Sequence, residues 1–180
     1  MKLGKPRKLK RKEVRKLKNE LAKRRQRDQA SRNTGRKTDK VDRENSKWLR
    51  KTLAKVGWID AGRFGTTATN DAWILTTHCG DLPLMMASIP EIRKDVDAKK
   101  LPNGENYATL YDRLQMSRGR KQRFGTQIVQ NDKGRHLVFS LEDSRQVDAW
   151  RKELRMKTLA ESLEMHKRWT RSEVLIQKSF

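Results

Sequence analysis

Apolar residues recur at helical spacing along most of the chain, and they predict a series of helices. We expect helices over about residues 8–28, 39–56, 67–79, 81–99 and 105–116. Two more should follow, one capped by Asp143 or Ser144 and one opened by a capping box at Thr158 and Glu161. We expect Pro90 to break or restart its helix, because proline lacks a backbone donor and clashes with the preceding turn.

The helix over 39–56 has the most complete amphipathic pattern. Its inward stripe is Val41, Asn45, Trp48, Leu49, Thr52, Leu53 and Val56. Asp39 can cap its start, and Gly57 can end it. All five Trp and both Tyr lie after residue 47, so we expect the hydrophobic core to lie there too.

The pattern changes from helical to strand-like after Arg120. Alternating residues on either side of the turn Asn131–Gly134 predict an antiparallel β-hairpin over about residues 122–141. Gly125 within the first strand indicates a bulge or a close backbone approach, and the simpler alternative is a bend.

The predicted fold class is therefore α+β, with three segments. We expect a basic, partly helical arm and linker over 1–38, a mainly α-helical domain with one β-hairpin over 39–170, and a frayed C-terminus over 171–180. In the arm, only Val14, Leu17 and Leu21 form an apolar stripe. This stripe is too thin to bury against a core, and Ser31–Gly35 has the composition of a linker.

Charge is concentrated in the arm. The chain carries a net charge of +22, and its first 37 residues hold 17 Lys and Arg against three acidic residues. Such a segment favours binding to DNA or RNA without sequence readout, since each basic side chain can neutralise a phosphate and release a counterion. Ribosomal RNA and packaged phage DNA are candidate targets. The alternatives are a solvated tail and a targeting signal.

The candidate phosphate-binding residues are the basic residues of the first 27 positions. They are Lys2, Lys5, Arg7, Lys8, Lys10, Arg11, Lys12, Arg15, Lys16, Lys18, Lys23, Arg24, Arg25 and Arg27.

Several functional classes find no support in the sequence. Cys79 is the single cysteine, and His78, His136 and His166 lack metal-ligand spacing, so we expect no metal. Phosphate-binding and dinucleotide-binding glycine motifs, HExxH and the nucleophile elbow are missing from the sequence, and we expect no cofactor. No apolar run approaches the roughly 18 residues that span a bilayer, so we expect a cytoplasmic protein without a membrane partner.

A second candidate site lies between Asn106 and Gln130. Its polar residues would meet at a helix–strand junction, and if the helix ending at His78 packs beside it, one pocket could form from His78, Asp112, Arg113, Gln122, Gly125, Thr126 and Gln127. In this hypothesis His78, Asp112, Arg113 and Gln127 are catalytic, and Gln122, Gly125 and Thr126 bind substrate. The enzyme would be a transferase or hydrolase acting on a nucleotide or nucleic acid.

Structural alternatives compete with this pocket. Asp112 and Arg113 could form an ion pair that pins the hairpin to the helix, with Gln127 capping a sheet edge. His78 could be a half-buried residue bonded to a carbonyl, or its ring could be oriented by Asp81. A third hypothesis makes the domain a protein-binding component of a toxin–antitoxin or phage-defence system.

Asp112-Arg113 and the run Gln122-Arg-Phe-Gly-Thr-Gln127 resemble an uncharacterised bacterial family, a domain of unknown function. That family pairs a Gln-His-Ala-Asp-like motif with a later Asp-Arg … Gln-x-Tyr-Gly-Thr-Gln motif. The resemblance covers about Trp48 to Met165. The matching positions are Trp73, His78, Asp81, Ala108, Asp112, Arg113, Gln122, Gly125, Thr126 and Gln127.

This sequence departs from the family pattern at three places. Thr77 stands where the family has Gln, Cys79-Gly80 lengthens the gap between His and Asp by one residue, and Phe124 replaces Tyr. The second motif is therefore the closer match, and the resemblance implies a site without naming a reaction.

Overall fold

A computed structural model of the protein describes residues 1–34 and 38–176, which fall into two units, Met1–Leu101 and Pro102–Phe180. The first unit contains α1 (Arg11–Asn33), α2 (Asp39–Val56), α3 (Ala61–Phe64), α4 (Thr66–His78) and α5 (Leu82–Asp97). The second contains α6 (Glu105–Ser117), β1 (Ile128–Gln130), β2 (His136–Val138), α7 (Val147–Glu153), α8 (Leu159–Thr170) and β3 (Val174–Ile176).

The predicted α+β class is confirmed, with one difference in the sheet. The antiparallel hairpin of β1 and β2 is present, with Val129 opposite Leu137, but its strands are shorter than the predicted 122–141 span and Gly125 lies before β1. A third strand, β3, pairs with β2 in parallel and makes the sheet mixed. Val174–Ile176 forms this strand within the segment predicted to fray, and the β-branched Val174 and Ile176 suit a strand. Residues 177–180 of the predicted frayed end lie outside the described residues.

Helix α1 is longer than expected and packs against α4 and α2. The expectation that its apolar stripe is too thin to bury was wrong, because Leu21 is fully buried. Polar side chains extend the inward stripe, since Asp28 lies seven residues, or two helical turns, after Leu21 and is also buried. Of the predicted linker, Ser31–Asn33 is helical, and Gly35 lies outside the described residues.

The ten residues before α1 run along the end of α2. The backbone N–H of Gly4 donates to the Leu53 carbonyl at 3.0 Å, and a Cβ on Gly4 would lie 2.2 Å from the Ala54 carbonyl oxygen. The guanidinium of Arg63 donates to the carbonyls of Val56 and Trp58, which closes the last turn of α2. The N-terminal segment is therefore held by backbone contacts that exclude a side chain at residue 4.

Helix α2 agrees with its prediction in its buried residues Val41, Asn45, Leu49, Leu53 and Val56 and in Gly57 at its C-cap. Its N-cap is Thr38, whereas Asp39 was expected there. Two other expectations were wrong. Helix α5 runs through Pro90 without a break, since proline removes only one of the hydrogen bonds in a 16-residue helix. Helix α7 begins after Gln146, because the Asp143 side chain instead accepts the N–H of Arg145 in the preceding turn.

The sheet and the last helices of the second unit share a hydrophobic core. Val138, Leu141, Val147 and Leu159 are buried together. Sequence periodicity placed Val147 and Leu154 inward, and both are buried.

Replacing Leu21 by Ala tests whether α1 is part of the folded first unit. We expect a loss of about 2–5 kcal/mol in the free energy of unfolding, because the substitution leaves a cavity at a fully buried site. Lys23→Ala on the exposed face is the matched control and should change stability by less than about 0.5 kcal/mol. The measurement is urea unfolding of both variants. If Leu21→Ala unfolds with the same free energy as Lys23→Ala, α1 does not pack against the first unit.

Candidate functional site

The segment Gln122–Gln127 is held by one buried carboxylate. Asp112 on α6 is fully buried and accepts the backbone N–H groups of Arg123 at 2.9 Å, Phe124 at 3.1 Å and Thr126 at 3.0 Å. The Thr126 hydroxyl donates to it as well, at 2.9 Å. Burial raises the pKa of Asp112, while these donors act in the opposite direction by stabilising the carboxylate.

A buried guanidinium holds the same segment through its carbonyl. Arg151 on α7 is 3% exposed, and its Nη1 donates to the Phe124 carbonyl at 2.6 Å. Its other nitrogens donate to the Lys157 carbonyl at 2.7 Å and to the Ser162 hydroxyl. Burial lowers the pKa of Arg151, and nearby acids led by Asp148 oppose that shift. Asp112 and Arg151 thus bind the N–H and C=O groups of one irregular segment.

Gln122 and Gln127 complete this network by bonding to each other. The Gln122 side-chain oxygen accepts the Gln127 N–H at 2.8 Å, and its amide nitrogen donates to the carbonyls of Gln127 and Phe139. The Gln127 side chain donates to the Thr126 hydroxyl at 3.0 Å. Both glutamines are buried, and their side chains connect the segment to Phe139, the residue after β2, and to the Thr109 carbonyl on α6.

The predicted site residues of the second unit therefore meet, but inside the protein. Asp112, Gln122, Thr126 and Gln127 share one hydrogen-bond network, and Arg113 lies half-buried on the adjoining position of α6. Asp112 pins the 122–127 segment to the helix through backbone N–H groups, whereas the structural alternative expected it to act through Arg113. The network positions a loop, and its buried acceptors are occupied by protein donors.

Sequence reasoning missed Arg151. Helical spacing could have identified it, because residue 151 lies one turn after Val147 and therefore on the buried side of α7. Trp150 was expected on that side. Trp150 is instead half-buried, and the guanidinium of Arg123 lies 5.0 Å from its ring centroid.

His78 lies in the first unit and pairs with a carboxylate. Its Nδ1 is 2.7 Å from Asp28 Oδ2 and 3.0 Å from Arg32 Nε, so the ring donates to Asp28 when Nδ1 carries the proton. Arg32 binds Asp28 at 3.2 Å and Asp42 at 2.6 Å, which links α1 with α2. Burial alone would raise the pKa of Asp28, but the hydrogen bonds from His78, Gln29 and Arg32 outweigh it and lower the pKa to about 2.

The expectation that Asp81 orients the His78 ring was wrong. Asp81 caps α5 by accepting the Leu84 N–H at 3.1 Å. It also accepts from Arg50 and from the Ser46 hydroxyl, both on α2 and both at 2.5 Å. The described contacts of His78 lie within the first unit and those of Asp112 within the second, and the pocket that combines them stays a prediction.

The predicted phosphate-binding residues divide into two groups. Three form ion pairs, namely Arg7 with Glu13, Arg24 with Glu20 and Arg27 with Glu44. In residues 1–34 and 38–176, no ion pair is found for Lys2, Lys5, Lys8, Lys10, Arg11, Lys12, Arg15, Lys16, Lys18, Lys23 or Arg25. All of these except the half-buried Arg25 are exposed. Ten exposed basic side chains without an ion pair thus lie along the N-terminal segment and α1, and we call this set the basic face.

Across the described part of the chain, no group of three or more His, Cys, Asp or Glu side chains is arranged to hold a metal ion. The same residues contain no helix with the length and apolar character needed to cross a membrane.

Gly125 should not tolerate a side chain. Its φ is +68°, and an added Cβ would lie 2.8 Å from Leu159 Cδ1, so Gly125→Ala combines backbone strain with overpacking. We expect a loss of about 2–5 kcal/mol in unfolding free energy. Gly119 is the matched control, with φ +67° and no atom within 4 Å of its added Cβ. Gly119→Ala should therefore cost only the strain, about 1–2 kcal/mol, and equal losses by urea unfolding would contradict the close approach.

Asp28 should make the first unit sensitive to acid. Its pKa falls from 3.8 to about 2 on folding, so its contribution to stability is complete above about pH 4 and is lost as pH falls towards 2. We expect the unfolding free energies of wild type and Asp28→Asn to differ at pH 6 and to converge near pH 2, as measured by urea unfolding at each pH. A difference that does not change with pH would contradict the paired carboxylate.

Comparison with known proteins gives a family. No curated protein and no solved structure matches the chain. Residues 19–169 match the family of unknown function DUF6624. The match includes the second half of α1, which the motif resemblance omitted, and excludes residues 1–18, which hold ten basic residues against one acid. Because the match spans most of the chain, the protein belongs to the DUF6624 family.

Proposed function

We propose that this protein binds nucleic acid through the basic face, by contacts with phosphate groups and without sequence readout. The observation that carries the proposal is the ten exposed Lys and Arg side chains of the basic face that have no ion pair among the described residues. Unpaired, exposed cations on one surface are the electrostatic footprint of a phosphate-binding protein.

The outer side of α1 gives the basic face a regular geometry. Lys12, Arg15, Lys16 and Lys23 are exposed there, opposite the stripe that contains Leu21 and Asp28. At 1.5 Å of rise per residue, Lys12 and Lys23 lie roughly 16 Å apart along the helix axis. That span corresponds to about five phosphates of one strand of duplex DNA, at about 3.4 Å each.

Packing of α1 favours binding in a second way. A free helix of this length would lose conformational entropy when it ordered on a nucleic acid. Leu21, Asp28 and Arg32 already fix α1 against its neighbours, so the basic side chains are presented on a formed helix. The conformational entropy of α1 is therefore already lost when the protein folds, and binding does not have to order this helix again.

A catalytic role for the second unit has weaker support. Asp112 and Gln122 are fully buried, and their side-chain oxygens already accept hydrogen bonds from the segment they hold. A group that reacts with substrate must approach it within hydrogen-bonding distance. The basic face is exposed, and its first part lies outside the family match, which suggests a binding surface added to the family domain.

Binding should depend steeply on salt and on the basic face. We expect the triple variant Lys12→Gln, Arg15→Gln, Lys23→Gln to bind a labelled duplex about 10- to 100-fold more weakly than wild type at low salt. The slope of log affinity against log salt should become shallower by about 2–3, since three phosphate contacts are lost. Fluorescence anisotropy over a salt series measures both quantities.

The matched control removes the same charge from the second unit. Lys121, Lys133 and Lys152 are exposed, and their replacement by Gln also lowers the net charge by three. If both triple variants lose affinity equally, binding reflects net charge alone. If wild type keeps its affinity above roughly half-molar salt, phosphate contacts do not dominate and the proposal fails.

A further inference from the structure

A groove beside the basic face combines an aromatic side chain with lysines. It has a volume of about 520 Å³ and runs between the N-terminal half of α1 and the C-terminal half of α2. That volume is within the roughly 300–1,000 Å³ of ligand-binding clefts. Trp48, Leu17 and Val56 contribute its apolar surface, and Lys16, Lys51 and Lys55 line it as well.

The charges of the groove are not balanced. Its two acids are already neutralised, since Glu13 binds Arg7 at 3.1 Å and Glu20 binds Arg24 at 2.8 Å. Lys16, Lys51 and Lys55 are exposed, and the described residues provide no ion pair for any of them. The groove therefore carries three uncompensated positive charges around an apolar floor, which is complementary to a ligand with a flat apolar part and a negative backbone.

Trp48 is held in place on one side. The guanidinium of Arg24 lies 4.7 Å from the indole centroid, and Arg24 also donates to Asn45 at 3.3 Å. Trp48 lines the groove, and Arg24 does not. The half-buried ring is thus positioned beforehand by Arg24 and forms part of the groove lining.

We propose that this groove takes an unpaired base of a single-stranded nucleic acid, stacked on Trp48, with the adjoining phosphates on Lys16, Lys51 and Lys55. This inference rests on the proposed function and narrows its substrate class. Single strands are held by aromatic platforms inside basic grooves, because every base offers a flat face and every nucleotide a phosphate. A base within a duplex is stacked on both sides and cannot reach the floor of such a groove.

The test compares a short labelled oligo(dT) strand with a duplex of the same length, by fluorescence anisotropy at one low salt concentration. We expect wild type to prefer the single strand. Trp48→Ala should weaken binding to the single strand about tenfold, within the range for loss of one stacked base, and leave duplex binding unchanged. Trp169→Ala is the matched control, because this indole is 84% exposed and lies in the second unit.

A second variant guards against loss of folding. Lys51→Gln with Lys55→Gln changes only exposed side chains, and it should weaken binding of the single strand more than binding of the duplex. If Trp48→Ala and the double variant lower the affinities for both probes equally, or not at all, the groove proposal is wrong while binding by the basic face stands. If wild type binds neither probe, both proposals fail.

Discussion

The hydrogen bonds that Asp112 accepts are the constraint on which the second unit depends. Three backbone N–H groups and one hydroxyl converge on this carboxylate, and Arg151 binds the carbonyl of Phe124 in the same segment. Without them, a buried segment with no regular secondary structure would leave its backbone groups unsatisfied, at about 1–3 kcal/mol for each. The placement of Gly125 against Leu159, and of Gln122 against Phe139 just after β2, follows from this arrangement.

The same device recurs in the first unit, where buried or half-buried aspartates join neighbouring helices. Asp28 joins α1 to the end of α4 through His78, and Asp81 joins the start of α5 to α2 through Arg50 and Ser46. Asp95 on α5 accepts the N–H of Ala61 at the start of α3. Only 34% of the residues are hydrophobic, so paired carboxylates supply specific contacts that a larger apolar core would otherwise provide.

The sequence pattern predicted the features that depend only on neighbouring residues. The stripe of α2, its Gly57 cap, the Thr158 capping box and the hairpin turn all depend on residues within a few positions of each other. The sequence also drew attention to Asp112, Gln122, Thr126 and Gln127, which share one hydrogen-bond network. What escaped prediction were pairings between distant residues, such as His78 with Asp28 and β3 with β2, since spacing carries no information about contacts that the tertiary fold creates. The charge of α1 likewise could not show that this helix packs against α2 and α4, because the residues that cover its inward side belong to those other helices.

The 122–127 segment has a consequence for how this protein would appear in hydrogen exchange. Amide protons exchange slowly when they are bonded and buried, whatever the acceptor. The amides of Phe124, Thr126 and Gln127 donate to side-chain oxygens of buried residues. They should therefore exchange only when the surrounding unit opens, so that a stretch classed as a loop by its backbone geometry would behave as part of the slowest-exchanging core.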